Sequence, residues 1–171
     1  VFKKENTMEQ LFNQLSEKLL NSLHNDEQIK LNIDGENSQF VRFSQSKVRQ
    51  SGLVDDASLR ISLIKDGRTC SSSFTLTGNI ESDEKTANVE LGRIRNEVIT
   101  LPKDPFVVLP ENTGSSLENH NGNLLNQEDA VSTLSPAMRD VDLAGIWASG
   151  QIFTGNANSA GQKHWFATDT F

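Results

Sequence analysis

The sequence predicts an α+β domain in which amphipathic helices cover one face of an antiparallel β-sheet, with a glycine-rich β-hairpin near the C-terminus. Three observations predict this fold class. Apolar residues recur every three or four positions in two segments, as on one face of a helix. In the segments between, they alternate with polar residues, as in strands with one buried face. The order is helix, strands, helix, loop, helix and strands, which is typical of an α+β layer.

The first helix is predicted from Thr7 to Leu23. Its apolar residues form a single stripe, made of Met8, Leu11, Phe12, Leu15, Leu19 and Leu23. Thr7 and Gln10 have the spacing of a capping box, in which each side chain bonds the backbone N–H of the other residue. We therefore expect the helix to begin at Thr7.

Residues 29–76 alternate as strands do. Apolar residues alternate at 29–33, 59–63 and 74–76, and the run 39–43 has an extended pattern. Gly35 interrupts the first run and predicts a hairpin there, Gly52 ends the next, and Asp66-Gly67 is a tight-turn signal. Four or five antiparallel strands are expected after the first helix.

Two further helices are expected in the second half of the chain. The first of these begins near Ser82, a good N-cap, and ends at Pro102; its buried stripe is Ala87, Leu91, Ile94, Val98 and Leu101. Between the two, the polar composition of residues 105–126 predicts a surface loop. The last helix covers about residues 127–139, with Pro136 disturbing its end.

The stretch GIWASGQIFTGNANSAGQKHW, residues 145–165, combines glycine, asparagine and aromatic residues. It lacks the glycine spacing and the lysine of phosphate-binding loops, and the residues after it have the pattern of a strand rather than a helix. A hairpin fits better. Its first strand runs through Ile152, and its return strand carries Trp165 and Phe166; the turn residues are Gly155, Asn156, Asn158 and Gly161.

Composition limits the classes of function. The length of 171 residues suits one domain over 1–171, and the net charge of −7 disfavours direct nucleic-acid binding. No apolar run predicts a membrane span, and a lone cysteine, Cys70, suits a reducing cytoplasm. Because the chain starts at Val1 and ends at Phe171 within a strand pattern, we expect both ends to be trimmed from a longer protein.

Catalytic and metal-binding interpretations are weak. Ser44-x-x-Lys47 matches the spacing of acyl-transfer serine enzymes, but residues three apart on a strand point to opposite faces. Cys70 has no base identifiable in the sequence, and the histidines are isolated from one another, at His24, His120 and His164. We predict no catalytic and no metal-binding residue; a polar strand face, a buried edge-strand cysteine and a solvated loop explain these positions.

Two stretches carry a resemblance to a known family. The pattern Gly145-x-x-Ala148-x-Gly150 precedes Asn158-Ser-Ala-Gly161, and FVRFSQSKVRQSG at 40–52 is followed by LRISLIKDGR at 59–68. In this order they are similar to the TldD/PmbA family, once called modulators of DNA gyrase. The resemblance covers most of the chain, and it implies the N-terminal α+β domain of a longer, two-domain protein.

The resemblance also implies what surrounds this domain. TldD-type members bind zinc through a His-Glu-x-x-x-His helix and act as peptidases, whereas PmbA-type members lack that motif and pair with a TldD-type subunit around a peptide-binding cavity. The motif is absent from these 171 residues, so no catalytic residue is carried over and no cofactor is expected in this chain. Zinc is expected in the full-length protein or its partner subunit.

Two functions follow as hypotheses. In the first, the chain is the N-terminal domain of a TldD/PmbA-type peptidase or of its non-catalytic partner, forms a homo- or heterodimer, and helps to bind unfolded peptide. Asn158, Ser159 and Gly161 are then the candidates for a turn beside the substrate cleft, or they only shape that turn. In the second, the chain is a stand-alone sheet-based interaction module for proteins or peptides, without catalysis. Neither hypothesis involves nucleic acid or membrane.

Overall fold

A computed structural model describes residues 7–171, except for the side chain of Gln127. In chain order its elements are α1 Met8–Asn21, β1 Glu27–Ser44, β2 Lys47–Lys65, β3 Arg68–Thr75, α2 Ile80–Val98, β4 Ser116–His120, α3 Gln127–Leu134, β5 Gly145–Asn158 and β6 Lys163–Thr170. A short 3₁₀ helix, Ser135–Met138, follows α3. The strands form one sheet in the order β3-β2-β1-β5-β6-β4.

The predicted α+β class is confirmed. The sheet is mostly antiparallel, and β2 and β3 pair antiparallel from Ser58 opposite Thr75 to Lys65 opposite Arg68. β5 and β6 are neighbours in the sheet, and residues 159–162 connect them. The glycine-rich hairpin as such stays a prediction. None of the described helices is both long and apolar enough to span a bilayer.

The described chain divides into two compact units. Unit 1 contains the described residues up to Asp34, Ala57–Leu117 and Thr154–Phe166; unit 2 contains Gly35–Asp56, Glu118–Phe153 and Ala167–Phe171. The strands β1, β2, β5 and β6 contribute residues to both units. The prediction of a single domain over 1–171, as part of a longer protein, stays a prediction.

The core of unit 1 confirms most of the predicted apolar stripes, but α1 ends at Asn21 and α2 at Val98, so the predicted members Leu23 and Leu101 lie beyond the helices. Helices α1 and α2 pack against each other, and α2 packs against β3. The fully buried side chains include Leu11, Phe12, Leu15 and Leu19 of α1, Ile29, Leu31 and Ile33 of β1, Leu59, Ile61 and Leu63 of β2, and Leu91 and Ile94 of α2. Burial of this periodic set is the main favourable contribution to folding of unit 1.

The N-terminal ends of α1 and α2 are capped by side chains. The predicted capping box of α1 is confirmed, because the Thr7 N–H donates to Gln10 Oε1 at 3.0 Å and the Gln10 N–H donates to Thr7 Oγ1 at 3.2 Å. The predicted start of α2 is wrong. Asn79, not Ser82, is the N-cap, since its Oδ1 accepts from the N–H groups of Glu81 and Ser82 at 3.1 and 3.0 Å.

Asp83 completes the start of α2 from inside the first turn. Its carboxylate accepts from the N–H and hydroxyl of Thr77, each at 2.8 Å, and from the Gly78 N–H at 3.0 Å. The side chain is buried, with 1% of the residue exposed. A buried carboxylate is tolerated where several donors satisfy it, so Asp83 fixes the chain reversal that leads into α2.

A buried glutamate joins α1, β1 and α2. Arg95 donates to both oxygens of Glu27 at 2.7–3.1 Å and to the carbonyl of Ser22 at 2.8 Å. The His24 N–H donates to the same carboxylate at 3.1 Å. Burial alone raises the pKa of Glu27, but the bonds from Arg95 and His24 outweigh it and hold the pKa below its ordinary value.

The positions of the strand turns differ from the prediction. β1 continues unbroken through Gly35, and β2 through Gly52, so three strands rather than four or five lie between α1 and α2. The turn between β1 and β2 is Gln45-Ser46, whose φ angles are 52° and 53°. The Asp66-Gly67 turn is confirmed, with φ angles of 47° and 68°. Both are two-residue turns of the type that suits antiparallel strands.

Unit 2 has a smaller core of its own. Its cluster consists of Val41, Phe43, Ala130 and Met138, with Leu125, Leu134, Leu143 and Trp147 packed against it. The predicted third helix is shorter than expected: α3 ends at Leu134, and the 3₁₀ helix with Pro136 in its first turn continues to Met138.

Residues 105–126, predicted as a surface loop, contain no buried residue and include the exposed strand β4.

Candidate functional site

The predicted cleft residues lie at the turn between β5 and β6, in unit 1. Asn158 is 5% exposed, and its Oδ1 accepts from the N–H groups of Ala160 and Gln162 at 2.9 and 3.2 Å. Its amide nitrogen donates to the carbonyl of Glu111 at 3.0 Å and to Gln162 Oε1 at 3.1 Å. Both donors and both acceptor positions of the side chain are thus used within the fold, as expected for a residue that shapes a turn.

Ser159 and Gly161 are also used by the turn. The Ser159 N–H donates to the Ile29 carbonyl at 3.0 Å, and its Oγ accepts from the Ile29 N–H at 3.1 Å. Gly161 has φ of 86°, a value at which a side chain is strained, and its N–H donates to the Asn158 carbonyl at 3.1 Å. The structure gives all three residues local contacts; their role beside a substrate cleft stays a prediction.

Gly155 and Asn156 are not turn residues, in contrast to the prediction, because β5 continues to Asn158. A Cβ on Gly155 would lie 2.8 Å from Ile33 Cγ2 and 3.0 Å from carbons of Phe12 and Trp165. The rings of Phe12 and Trp165 are 6.3 Å apart between centroids. Gly155 is therefore the point where β5 accommodates an aromatic pair in the core of unit 1.

Gly150 has a similar role in unit 2, where β5 approaches β1 closely. A Cβ on Gly150 would lie 2.4 Å from the Asn37 carbonyl oxygen and 2.4 Å from Ser38 Cα, so only glycine permits this approach of the backbones. Gly150 therefore sets the close approach of these two strands within unit 2.

A polar cleft of about 360 Å³ lies in unit 2 around this contact. Gln39 Nε2 donates across it to the Leu125 carbonyl at 3.1 Å and to Ser149 Oγ at 3.3 Å. Asp169 accepts from the Gly122 N–H at 2.8 Å. The cleft is also lined by Leu53, which is 70% exposed, and by the exposed amides of Asn37 and Asn126, so polar groups lie beside an apolar side chain.

Sequence reasoning missed this cleft. Gln39 and Ser149 share their strands with the buried residues Val41 and Phe43 and with Phe153, at the alternate positions where a fully packed sheet would have apolar side chains. That break in the alternation was the available signal. It distinguishes a lined cleft from a closed core only after the strands are aligned.

A second cavity in unit 2, of about 250 Å³, is mainly apolar. Its walls include Phe43, Met138, Leu143, Ile146 and Trp147. It adjoins the hydrophobic cluster around Val41 and has no titratable side chain in its lining. Its chemistry suits an apolar side chain rather than a reaction.

The weak catalytic candidates do not form a site. Burial, followed by the neighbouring Glu97 carboxylate, raises the pKa of the Cys70 thiol, which opposes the thiolate that a nucleophile requires. Ser44 and Lys47 flank the two-residue turn, so they are cross-strand neighbours and the expected separation to opposite faces is wrong. No hydrogen bond joins them among the described residues.

The histidines remain separate from one another. His24 lies 3.2 Å from Glu27, His120 lies 3.4 Å from Glu118, and His164 Nδ1 is 2.8 Å from the hydroxyl of Ser116. Within residues 7–171, no group of three or more histidine, cysteine, aspartate or glutamate side chains is placed to hold a metal ion. The prediction that zinc belongs elsewhere in the full-length protein or in a partner stays a prediction.

Comparison with known proteins identifies solved structures of similar fold. No family model and no curated protein matches the sequence. Among solved structures, TldE from Thermococcus kodakarensis matches 93% of the chain with a TM-score of 0.66 at 11% identity. A candidate modulator of DNA gyrase from Thermotoga maritima matches 95% with a TM-score of 0.62 at 16% identity, and one from Bacteroides thetaiotaomicron matches 94% with a TM-score of 0.59 at 17% identity.

The matches cover only part of those proteins. The chain spans 38% of the Thermotoga and Bacteroides chains and 37% of TldE. Identity of this size establishes similarity of fold and nothing about residues in common. The chain therefore has the fold of the matching part of TldE and of these candidate gyrase modulators, as its resemblance to the TldD/PmbA family predicts.

Proposed function

We propose that the chain is the N-terminal domain of a TldD/PmbA-type protein, either a peptidase or its non-catalytic partner subunit, and that it binds extended peptides and dimerises with a TldD/PmbA-type subunit. The observation that carries the proposal is the fold match over more than nine-tenths of this chain but less than two-fifths of three solved structures. A domain of a larger assembly explains that ratio better than a stand-alone module does.

Peptide binding is supported by the cleft of unit 2. The cleft combines exposed side-chain amides with an exposed leucine, contributed by Asn37, Asn126 and Leu53. Extended peptides are commonly recognised by this combination of polar groups for the backbone and apolar surface for side chains. The lone thiol of Cys70 suits a cytoplasmic location, which forms part of the proposal.

Catalysis is assigned outside this chain. The sequence lacks the His-Glu-x-x-x-His motif, and the described residues offer no metal-binding group. Zinc would then be bound by the rest of the full-length protein or by a partner subunit. Sequencing the gene beyond codon 171 tests this directly: the motif supports a catalytic parent, a further β-rich domain without it supports a partner subunit, and a stop codon supports the stand-alone module.

The binding proposal is tested with an uncharged, permanently unfolded polypeptide that carries a fluorescent label. We expect its anisotropy to rise on titration with the protein, with and without a zinc chelator. Leu53→Asp should weaken binding by about tenfold, because a desolvated apolar contact is lost. Leu117→Asp is the matched control, since Leu117 is also largely exposed, at 61% against 70% for Leu53, but belongs to β4 and to unit 1.

Two results would contradict the proposal. Absence of binding by the unaltered protein would remove the peptide-binding function. Equal effects of the two leucine substitutions would show that the cleft of unit 2 is not the site. Sedimentation of the protein alone and with a TldD/PmbA-type subunit tests dimerisation separately.

A further inference from the structure

Asn121 and Gly122 form the only Asn-Gly pair in the sequence. Both residues lie between β4 and α3, outside helix and strand, and both are exposed to water. Glycine places no side chain beside its own backbone nitrogen, and an irregular segment is not held at the dihedral angles of a helix or a strand. This is the setting in which an asparagine side chain can react with the backbone nitrogen that follows it.

The reaction needs only this pair and water. The Gly122 nitrogen forms a bond to the Asn121 side-chain carbonyl carbon, and the bond from that carbon to the side-chain amide nitrogen breaks. Ammonia leaves with the proton that the Gly122 nitrogen has lost, and a cyclic imide, a succinimide, remains. Water then adds across one of the C–N bonds of the ring, which leaves either aspartate or isoaspartate at position 121.

A carboxylate accepts a hydrogen bond through the proton that this reaction removes. The Gly122 N–H donates to Asp169 Oδ2 at 2.8 Å, and both residues belong to unit 2. A negative charge at this distance opposes the negative charge that develops on the nitrogen as its proton leaves. The hydrogen bond also keeps the N–H directed at Asp169. Both effects slow the closure of the ring.

The Asp-Gly pairs of the chain can form the same ring, but their settings oppose it. Asp34-Gly35 lies within β1, where the sheet holds the backbone extended. Asp66-Gly67 forms a turn, and the Asp66 carboxylate accepts from Lys103 Nζ at 2.6 Å and from Arg68. These bonds lower the pKa of Asp66 and keep it ionised, and an ionised carboxylate is a poor electrophile. Asn121 is therefore the most reactive of these positions.

We propose that Asn121 is a site of spontaneous deamidation and that Asp169 restrains the reaction in the folded protein. The inference is independent of the proposed peptide-binding function. Isoaspartate lengthens the backbone by a methylene group before Gly122, and either product adds a carboxylate beside the contact of Gly122 with Asp169. Because like charges repel and Asp169 lines the polar cleft of unit 2, the modification changes the charge and the backbone at the edge of that cleft.

The experiment follows the protein during incubation in mildly alkaline buffer, with peptide mapping by mass spectrometry at successive times. We expect Asn121 to be converted before any other asparagine. Gly122→Ala should stop this conversion over the same period, because a side chain hinders the approach of its own nitrogen. The fold accommodates that variant, since a Cβ at Gly122 would lie 3.5 Å from Asp169 Cβ, an ordinary contact distance. Earlier conversion of another asparagine would overturn the assignment of the site.

Asp169→Ala tests the restraint. It should speed the conversion of Asn121 about tenfold, because the negative charge and the hydrogen-bond acceptor are both lost. Asp169→Asn keeps an acceptor without the charge, and its rate should lie between those of the unaltered protein and Asp169→Ala. Asp56→Ala is the matched control, since it removes a carboxylate from an exposed position of unit 2 and should leave the rate unchanged.

The same incubation in concentrated urea separates the contact from the local sequence. Gly122 and Asp169 are far apart in the unfolded chain, so the unaltered protein and Asp169→Ala should then be converted at equal rates. A difference that persists in urea would overturn the restraint. An unchanged or slower rate for folded Asp169→Ala would also overturn it, and so would an equal acceleration by Asp56→Ala.

Discussion

At the scale of single residues, Gly155 links sequence to packing most directly. Its missing side chain leaves room for Phe12, Ile33 and Trp165. We expect Gly155→Ala to lower the free energy of unfolding by about 2 kcal/mol, because a methyl group would overpack the core. Urea denaturation measures this change through the midpoint of unfolding.

Gly92 is the control for that substitution. It lies within α2, and a Cβ there would meet nothing within 4 Å. Gly92→Ala should raise the free energy of unfolding by about 0.5–1 kcal/mol, because alanine loses less backbone entropy in a helix. Changes of the same sign in both variants would refute the packing explanation for Gly155.

Glu27 should make stability depend on pH. Its bonds to Arg95 and His24 hold its folded pKa below the value of a free glutamate. The stabilisation is therefore complete above the unfolded pKa, near 4.5, and is lost as the pH falls through the folded pKa. Glu27→Gln should cost about 2–3 kcal/mol at neutral pH, because a buried ion pair is broken, and progressively less in acid.

The measurement is a series of denaturation curves between neutral pH and pH of about 3, since acid protonates carboxylates in that range. Glu17→Gln, at an exposed position of α1, should change stability by no more than about 0.5 kcal/mol throughout. A penalty for Glu27→Gln that stays constant down to the lowest pH would rule out the ion pair as its source.

At the scale of elements, the start of α2 separates what local sequence decides from what it does not. Ser82 and Asn79 are both good N-cap residues, and only the structure identifies Asn79 as the cap. We expect Asn79→Ala to destabilise the protein by about 1 kcal/mol and Ser82→Ala to change stability by less than about 0.5 kcal/mol. The unfolding temperatures of the two variants measure this difference. A larger destabilisation by Ser82→Ala than by Asn79→Ala would show that Ser82, as predicted from the sequence, is the N-cap.

The choice of Asn79 depends on contacts outside the helix. Asp83 accepts bonds from Thr77 and Gly78, and this turn places the N-cap at Asn79, three residues before Ser82. The apolar stripes of α1 and α2 could be predicted because their spacing of three and four is a property of the helix itself. The N-cap could not be predicted in this way. Asn79 and Ser82 are both suitable, and the bonds of the buried Asp83 carboxylate decide that Asn79 stands at the helix start.

The same limit applies to the strands. Gly35 looked like a turn, yet β1 runs through it and turns at Gln45-Ser46, two residues with positive φ and no glycine. Ser46 is held there by Leu143, whose carbonyl accepts its N–H at 3.0 Å and whose N–H donates to its Oγ at 3.0 Å. A contact between residues 97 positions apart therefore sets the turn. Such contacts are invisible to a local pattern.

At the scale of the whole molecule, the α+β class could be predicted from the sequence, whereas the division of the described residues into two compact units has no signal in the local pattern. Strand and helix patterns determine the class because each element has its own period. The two units share the strands β1, β2 and β5, each of which has one part in each unit. The apolar period is the same in both parts, so it does not show where one unit ends and the other begins. For the same reason the cleft around Gln39 and Ser149 emerges only once β1 and β5 are placed, whereas the turn at Asn158 could be predicted from its glycine and asparagine residues.

The two units should differ in local stability. Most of the buried apolar side chains of the described residues belong to unit 1, and those of unit 2 are Val41, Phe43, Ala130, Met138, Phe153 and Ala167. A region that buries less apolar surface opens at lower free energy. Native-state hydrogen exchange should therefore show higher opening free energies for amides of Leu31 and Leu91 than for those of Val41 and Ala130.

Phe43→Ala sharpens the test. Loss of a buried phenylalanine costs about 3–5 kcal/mol where the cavity does not collapse, and the apolar cavity beside Phe43 should reduce this to about 2–3 kcal/mol. The lower opening free energy of unit 2 should speed amide exchange at Val41 and Ala130, and exchange at Leu31 and Leu91 should stay largely unchanged. If all four amides respond by the same free energy, the two units unfold as one cooperative domain, and the amides around the cleft of unit 2 open only together with the core of unit 1.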